Sequence, residues 1–212
     1  MTRLLVVRHG NTFGVGEIAR RVGARTDLPL VESGVEQARK LGHYLAANKM
    51  LPDMVYTSEL QRARQTANYA LAAAGTSAMV MPRAMFNEID YGPDENLTDD
   101  HVIARIGHAG LRAWEDHGIA PPGWLVDPVQ LQKMWQDFGA ELVRNMVGAT
   151  VMVVTSNGIA RFTPYLTGDY PAFLTKYKPK LVTGALGILL HDGTAWTVKD
   201  WNIRPAADRW AR

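Results

Sequence analysis

A chain of 212 residues fits one domain, or one domain carrying a substantial insertion. With 47% apolar and 21% charged residues the composition is that of an ordinary soluble globular protein, and a formal charge of +2 with no basic stripe argues against nucleic acid. There is no cysteine, which excludes disulfides, thiolate chemistry and thiolate metal sites.

RLLVV (3–7) is a short continuous apolar run, the pattern of a buried parallel strand. It is far too short for a signal peptide or a membrane span, so a cytoplasmic protein is expected. SGVEQARKLGHYLAA (33–47) shows helical spacing at Val35, Ala38, Leu41 and Leu45 and opens with a capping box, Ser33 and Glu36. DMVYT (53–57) reads as a second strand, SELQRARQTANYALAAA (58–74) as a helix with a second box, Ser58 and Gln61, and SAMVMP (77–82) as a third strand. Residues 97–146 are mostly helical in pattern, broken at APPGW (120–124), with no strand between; they predict a helical cap inserted over the sheet edge. A strand at 150–155 and a helix from about 158 follow. The last elements are a strand pair, ALGILLH (185–191) and AWTVKDW (195–201), joined by Asp192-Gly193. Strands alternating with helices predict a single α/β domain over 1–212, three layers α/β/α around a mainly parallel sheet.

Ligands of open α/β sheets bind at the carboxyl ends of the strands. The first strand ends in VVRHGNT (6–12), which puts a cation, Arg8, and an imidazole, His9, at such a place. Gly10 then allows close backbone approach to a bound group. Arg62 follows the next strand, in the first turn of a helix, where free amides and a planar guanidinium suit phosphate. Separately, RHG reads as a surface loop and Arg62 as a solvated helix residue; together they point to a phosphate pocket. Glu88 lies among Asp90, Asp94 and Glu95, an acidic loop on its own terms.

These residues carry a resemblance to the histidine phosphatase superfamily, the phosphoglycerate-mutase-like proteins, over nearly the whole chain. LLVVRHGNT resembles the family's opening motif, and GARTDLPLVESGVEQARKLG (23–42) the segment after it. DMVYTSELQRARQTA resembles the stretch with the second phosphate-binding arginine, and FNEIDYGPDEN (86–96) the stretch with the proton donor. The resemblance implies His9 as nucleophile, Arg8 and Arg62 as the grip on the phosphoryl oxygens, and Glu88 as acid and then base. Asn11, Thr12, Ser156 and Asn157 fall at substrate-binding positions. It further implies a phosphomonoesterase that needs no metal and no cofactor, acting on a small phosphorylated molecule. No nucleic acid or membrane partner is expected, and a homodimer is left open.

The chain departs from the family at VMVVTSNGIAR (151–161), where relatives carry a second pocket histidine. Aligning Gly158 and Arg161 puts Ser156 at that place; a shift of one residue puts Asn157 there. His43, His101, His108, His117 and His191 offer no evident stand-in. In the cap, APPGWLVDP (120–128) replaces the family mutases' motif near the second substrate phosphate, which favours a phosphatase with an apolar mouth over a mutase. Trp114, Trp124 and Trp135 either line that mouth or form cap core, the commoner fate of large aromatics. KYKPK (176–180) reads as a solvated loop before a strand; as a positive rim it would draw in anions. No H-E-x-x-H or phosphate-cradling G-x-x-x-x-G-K-[ST] occurs, so metal-dependent phosphatase and nucleotide-hydrolase readings lose their basis. A mutase of the same fold and a degenerate binding protein with little turnover are the alternatives to the phosphatase.

Overall fold

The computed structural model describes residues 1–206. Its strands are β1 (Thr2–Arg8), β2 (Met54–Thr57), β3 (Met79–Pro82), β4 (Thr150–Thr155), β5 (Leu186–His191) and β6 (Trp196–Ile203), forming one sheet in the order β3-β2-β4-β1-β5-β6. The first four in that order run parallel, and β5 and β6 add an antiparallel flank. Helices are α1 (Glu32–Ala47), α2 (Gln61–Ala74), α3 (Asp99–His117), α4 (Pro128–Asn145), a single turn α5 (Asn157–Ala160) and α6 (Tyr170–Lys176). This is the mainly parallel α/β fold that the alternation of patterns predicts.

Why β1 sits at the centre is plain from its residues. Leu4 and Val6 enter one core, with Tyr56 and Val153 of the neighbouring strands and Trp135, Phe138 and Leu142 of α4. Leu5 and Val7 enter the other, with Leu41 and Leu45 of α1 and Ala63, Ala67 and Leu71 of α2. A strand covered on both faces needs an unbroken apolar run, and RLLVV is one. Because α4 packs on the sheet face, the segment 97–146 divides. Its second helix is a layer of the sandwich, and α3, broken at Gly107 (φ 72°), reaches the strand ends through Trp114 and Glu115.

The two expected capping boxes do not form. Helix α1 starts at Glu32 behind Val31, and α2 at Gln61 behind Leu60, with no side-chain cap at either. Ser33 accepts from Asn11 Nδ2 and Ser58 from the Leu60 N–H. The register places Arg8 beside Thr155 and Thr57 beside Val154, so the ends of β1, β4 and β2 lie side by side.

Candidate active site at the strand ends

At the end of β1 the His9 N–H joins the Thr155 carbonyl (2.9 Å) and the Gly10 N–H donates to Thr66 Oγ1 (3.0 Å). The Thr66 hydroxyl in turn donates to the Arg62 carbonyl (2.7 Å), so one buried threonine ties the His9 turn to α2. A Cβ on Gly10 would overlap the backbone of Gly34 at the start of α1, and only glycine lets the turn pass there.

The His9 Nδ1 lies 2.7 Å from the Gly10 carbonyl oxygen. A carbonyl only accepts, so Nδ1 carries the proton and Nε2 keeps a free lone pair. Burial, then the charges of Arg62 and Arg8, holds the imidazole well below its ordinary pKa. The ring is therefore neutral at physiological pH, the state in which it can attack.

Arg8 spends one Nη1 hydrogen on the Leu181 carbonyl (2.8 Å). Arg62 is fully buried and donates to the carbonyls of Thr26 (2.8 Å), Val22 and Gly23 (both 3.2 Å). The Nε of each arginine is buried without an acceptor, and so is the hydroxyl of Ser156, at the end of β4. Three donors at or beside the strand ends are thus unmet, each costing about 1–3 kcal/mol until an acceptor arrives.

Glu88 faces them, 6% exposed. Its Oε1 accepts the Ile89 N–H (2.9 Å), and its Oε2 accepts the Gly158 N–H (3.2 Å) and the Tyr91 hydroxyl (3.4 Å). Burial raises its pKa above the usual carboxylate value despite the lowering by these backbone donors, Arg62 and Arg8. Burial also raises the Tyr91 phenol, which remains a donor. A Cβ on Gly158 would overlap Oε1, so a side chain at this position would displace the carboxyl group.

A cavity of about 440 Å³ opens here, lined by Arg8, His9, Asn11, Thr12, Glu88 and Asn157 among others. Of the residues singled out in the sequence, Arg62 and Ser156 do not line it and are fully buried. Asn157 Oδ1 is committed to the Leu181 N–H (2.8 Å). His9 is the one histidine on the cavity wall among the described residues. Trp124 and Trp135 are core, donating to Asp94 (2.6 Å) and the Ile159 carbonyl (2.9 Å); only Trp114 of the three also faces the cavity. Lys180 alone of the 176–180 run reaches the cavity, paired with Glu115 at 3.3 Å. Thr66, Tyr91, Gly158 and Arg161 were not marked by sequence as site residues. Thr66 stands one turn from Arg62 on α2 and Tyr91 three residues from Glu88, spacings that would have been the only signal.

The chain belongs to the histidine phosphatase superfamily (branch 1), whose family model matches residues 4–204. It is 32% identical over 187 residues to the 2,3-bisphosphoglycerate-dependent phosphoglycerate mutase of Leifsonia xyli subsp. xyli, a match spanning 85% of this chain and 71% of that one. Bacillus stearothermophilus YhfR has the same fold, with a TM-score of 0.77 and 26% identity over 95% of this chain and 97% of its own. A mycobacterial glucosyl-3-phosphoglycerate phosphatase is similar too, with a TM-score of 0.74 and 25% identity over 94% and 98% of the two chains. The protein is an enzyme of the phosphoric monoester hydrolase kind. Among the described residues no helix is long and apolar enough to cross a membrane.

Proposed function

We propose that the protein is a metal-independent phosphomonoesterase that works through a phosphohistidine at His9, on a small phosphorylated substrate. The observation that carries the reading is the state of His9: neutral, with Nδ1 held by the Gly10 carbonyl and Nε2 left as the nucleophile, beside the guanidinium groups of Arg8 and Arg62. The Nε2 lone pair attacks phosphorus and the P–O bond to the leaving group breaks. Glu88, kept protonated part of the time by burial, gives its proton to the departing oxygen. The same carboxylate then takes a proton from water as that water attacks the phosphohistidine, releasing phosphate and restoring His9.

Arg8 and Arg62 supply the fixed positive charge that a phosphoryl group in transit needs. The unpaired Nε of Arg8 faces the substrate from the cavity wall, and the unpaired Arg62 Nε and Ser156 hydroxyl, which do not line the cavity, would meet a phosphoryl oxygen only once the group is seated against His9. Asn11, Thr12 and Asn157 are substrate-side wall residues in this reading. Because both cations are side chains of the chain itself, no step calls for a metal. Release of phosphate from a panel of sugar phosphates, nucleotides, phosphorylated hydroxy acids and phosphopeptides, with and without chelator, tests the proposal. Turnover unaffected by chelator is expected. Loss of activity on chelation, restored by a divalent cation, would remove the metal-free mechanism.

A further inference from the structure

The Arg62 guanidinium takes its place from the carbonyls of Val22, Gly23 and Thr26. All three belong to a strap, residues 20–27, that lies between β1 and α1 and outside the helices and strands. The aim of Arg62 is therefore only as firm as the hold on the strap. Backbone bonds join the strap to the loop that carries Glu88: Arg21 N–H to the Leu97 carbonyl (2.9 Å), Ala24 N–H to Ile89 (3.0 Å), and Asn96 N–H back to Arg21 (2.8 Å). Between the two runs sits the half-buried carboxylate of Glu95. Its Oε1 accepts the Gly23 N–H (3.0 Å), the Arg25 N–H (3.2 Å) and the Thr26 hydroxyl (2.7 Å), and its Oε2 accepts the Tyr91 N–H (3.2 Å). An ionised carboxylate, which only accepts, suits four converging donors.

Each side of Glu95 leads to a different part of the site. Gly23 and Thr26, whose N–H and hydroxyl it takes, are two of the residues whose carbonyls hold Arg62. Tyr91, whose N–H it takes, gives its hydroxyl to Glu88. A Cβ on Gly23 would overlap Glu95 Oε2 and the Tyr91 ring, so the strap closes directly on the carboxylate. Burial lowers the Arg62 pKa, and Glu88, Tyr91, Asp27 and Glu95 oppose it. The neighbouring carboxylates are spent elsewhere: Asp94 on Arg105 and the Trp124 indole, Asp90 on Arg25 and the Gly92 N–H. We infer that Glu95 is a positioning residue for both halves of the site: it holds the strap that aims Arg62 and, through Tyr91, the carboxyl group of Glu88. The inference rests on the phosphatase reading and adds to it a residue that is not part of the cavity wall.

Two readouts separate the halves. Orthovanadate affinity, measured by calorimetry, reports the Arg62 grip without turnover. The ratio of kcat/KM for ethyl phosphate to that for p-nitrophenyl phosphate reports the proton from Glu88, and loss of folded protein cancels in it. Glu95→Ala should weaken orthovanadate binding by about 10–100-fold, the scale of a hydrogen bond to a charged group. It should also lower the ester ratio, by up to about 10²-fold for a misplaced acid. A glutamine keeps one acceptor oxygen and gains a donor. Three donors on the strap against one at Tyr91 turn that oxygen to the strap, so Glu95→Gln should lower the ester ratio while largely keeping orthovanadate affinity. Thr26→Val removes one donor from Oε1 and should weaken orthovanadate binding several-fold with the ratio unchanged; it serves if the alanine variant does not fold. In an Arg62→Ala background, Glu95→Ala should add little further loss of affinity, because a residue acting through Arg62 has nothing left to act on. Affinity and ratio unchanged in all three variants, or an equal loss of affinity with and without the Arg62 side chain, overturns the role of Glu95, while ester hydrolysis by wild type leaves the phosphatase standing. Hydrolysis of neither ester by wild type would instead count against the phosphatase reading, and orthovanadate would still test the hold on Arg62.

Discussion

The carboxyl ends of β1 and β4 are neighbours in the sheet, Arg8 beside Thr155, yet they are built on opposite plans. The β1 end is charged and heavily tied: the Thr155 carbonyl, Thr66, the Gly10 carbonyl and the backbone of Gly34 together set the His9 turn. The β4 end is neutral, with a free Ser156 hydroxyl and an Asn157 committed to the loop at Leu181. In the proposed mechanism one end forms the bond to phosphorus, and the other only hydrogen-bonds an oxygen. If the proposal holds, the asymmetry teaches that nucleophile and charge can sit on one strand end while a separate loop, at Glu88, supplies the proton.

Each side of this comparison can be broken separately. His9→Ala should abolish turnover of every ester, since no other imidazole lines the cavity among the described residues. Residual phosphate release at an appreciable fraction of wild type would remove the β1 end from the chemistry.

Glu88→Gln should lower kcat for alkyl phosphates by about 10²–10⁴-fold and spare p-nitrophenyl phosphate in the first step, because a good leaving group needs no proton. The sign of the pH dependence follows from the raised pKa of Glu88. The acid form is required, so kcat/KM for alkyl phosphates should fall as pH rises through that raised value. On the acid side activity should persist below the usual imidazole range, since His9 is held neutral there. The alkaline limb should vanish in Glu88→Gln; a limb that survives belongs to another group.

Gly158→Ala tests the contact between the β4 end and the Glu88 loop, because its Cβ would collide with Glu88 Oε1 and cost the carboxyl group its place. A misplacement of this kind is worth about 10²-fold in rate. Alkyl phosphate kinetics measure it, and near-wild-type rates would show that Glu88 need not be held there.

The β4 end gives the smallest loss. Ser156→Ala should slow turnover only several-fold, by about one neutral hydrogen bond. Ser156→His, adding a group that can be charged where the family resemblance implies a histidine, should raise turnover by up to about 10²–10³-fold if the ring seats against the phosphoryl group. Asn157→His should instead break the Leu181 contact without gain. A gain in the Asn157 variant alone would reverse the register.

What was legible in the chain is what depends on local pattern. The run TVMVVT is apolar enough to be read as a strand over 150–155, and β4 occupies those residues. Strand ends are where ligands bind, so Arg8 and His9 stood out before any coordinates, and Glu88 followed from resemblance. Illegible were the features that depend on a partner remote in sequence. Ser33 had the spacing of a cap, but Asn11 claims its hydroxyl, and α1 starts without it. Residues 128–145 looked like cap because no strand interrupts them; Trp135, Phe138 and Leu142 place them on the sheet because their neighbours are Leu4, Val6 and Val153. Arg161 appeared only as an alignment anchor.

The central claim is that a phosphoryl group rests on His9 during turnover. Brief incubation with a radiolabelled activated phosphoryl donor, followed by denaturation and peptide mapping, tests it most directly. The account predicts one label on the peptide containing His9, stable in base and lost in acid as a P–N bond is, absent in His9→Ala and longer-lived in Glu88→Gln. Steady turnover of the same donor with no label on His9, or with an acid-stable label on another residue, would contradict it.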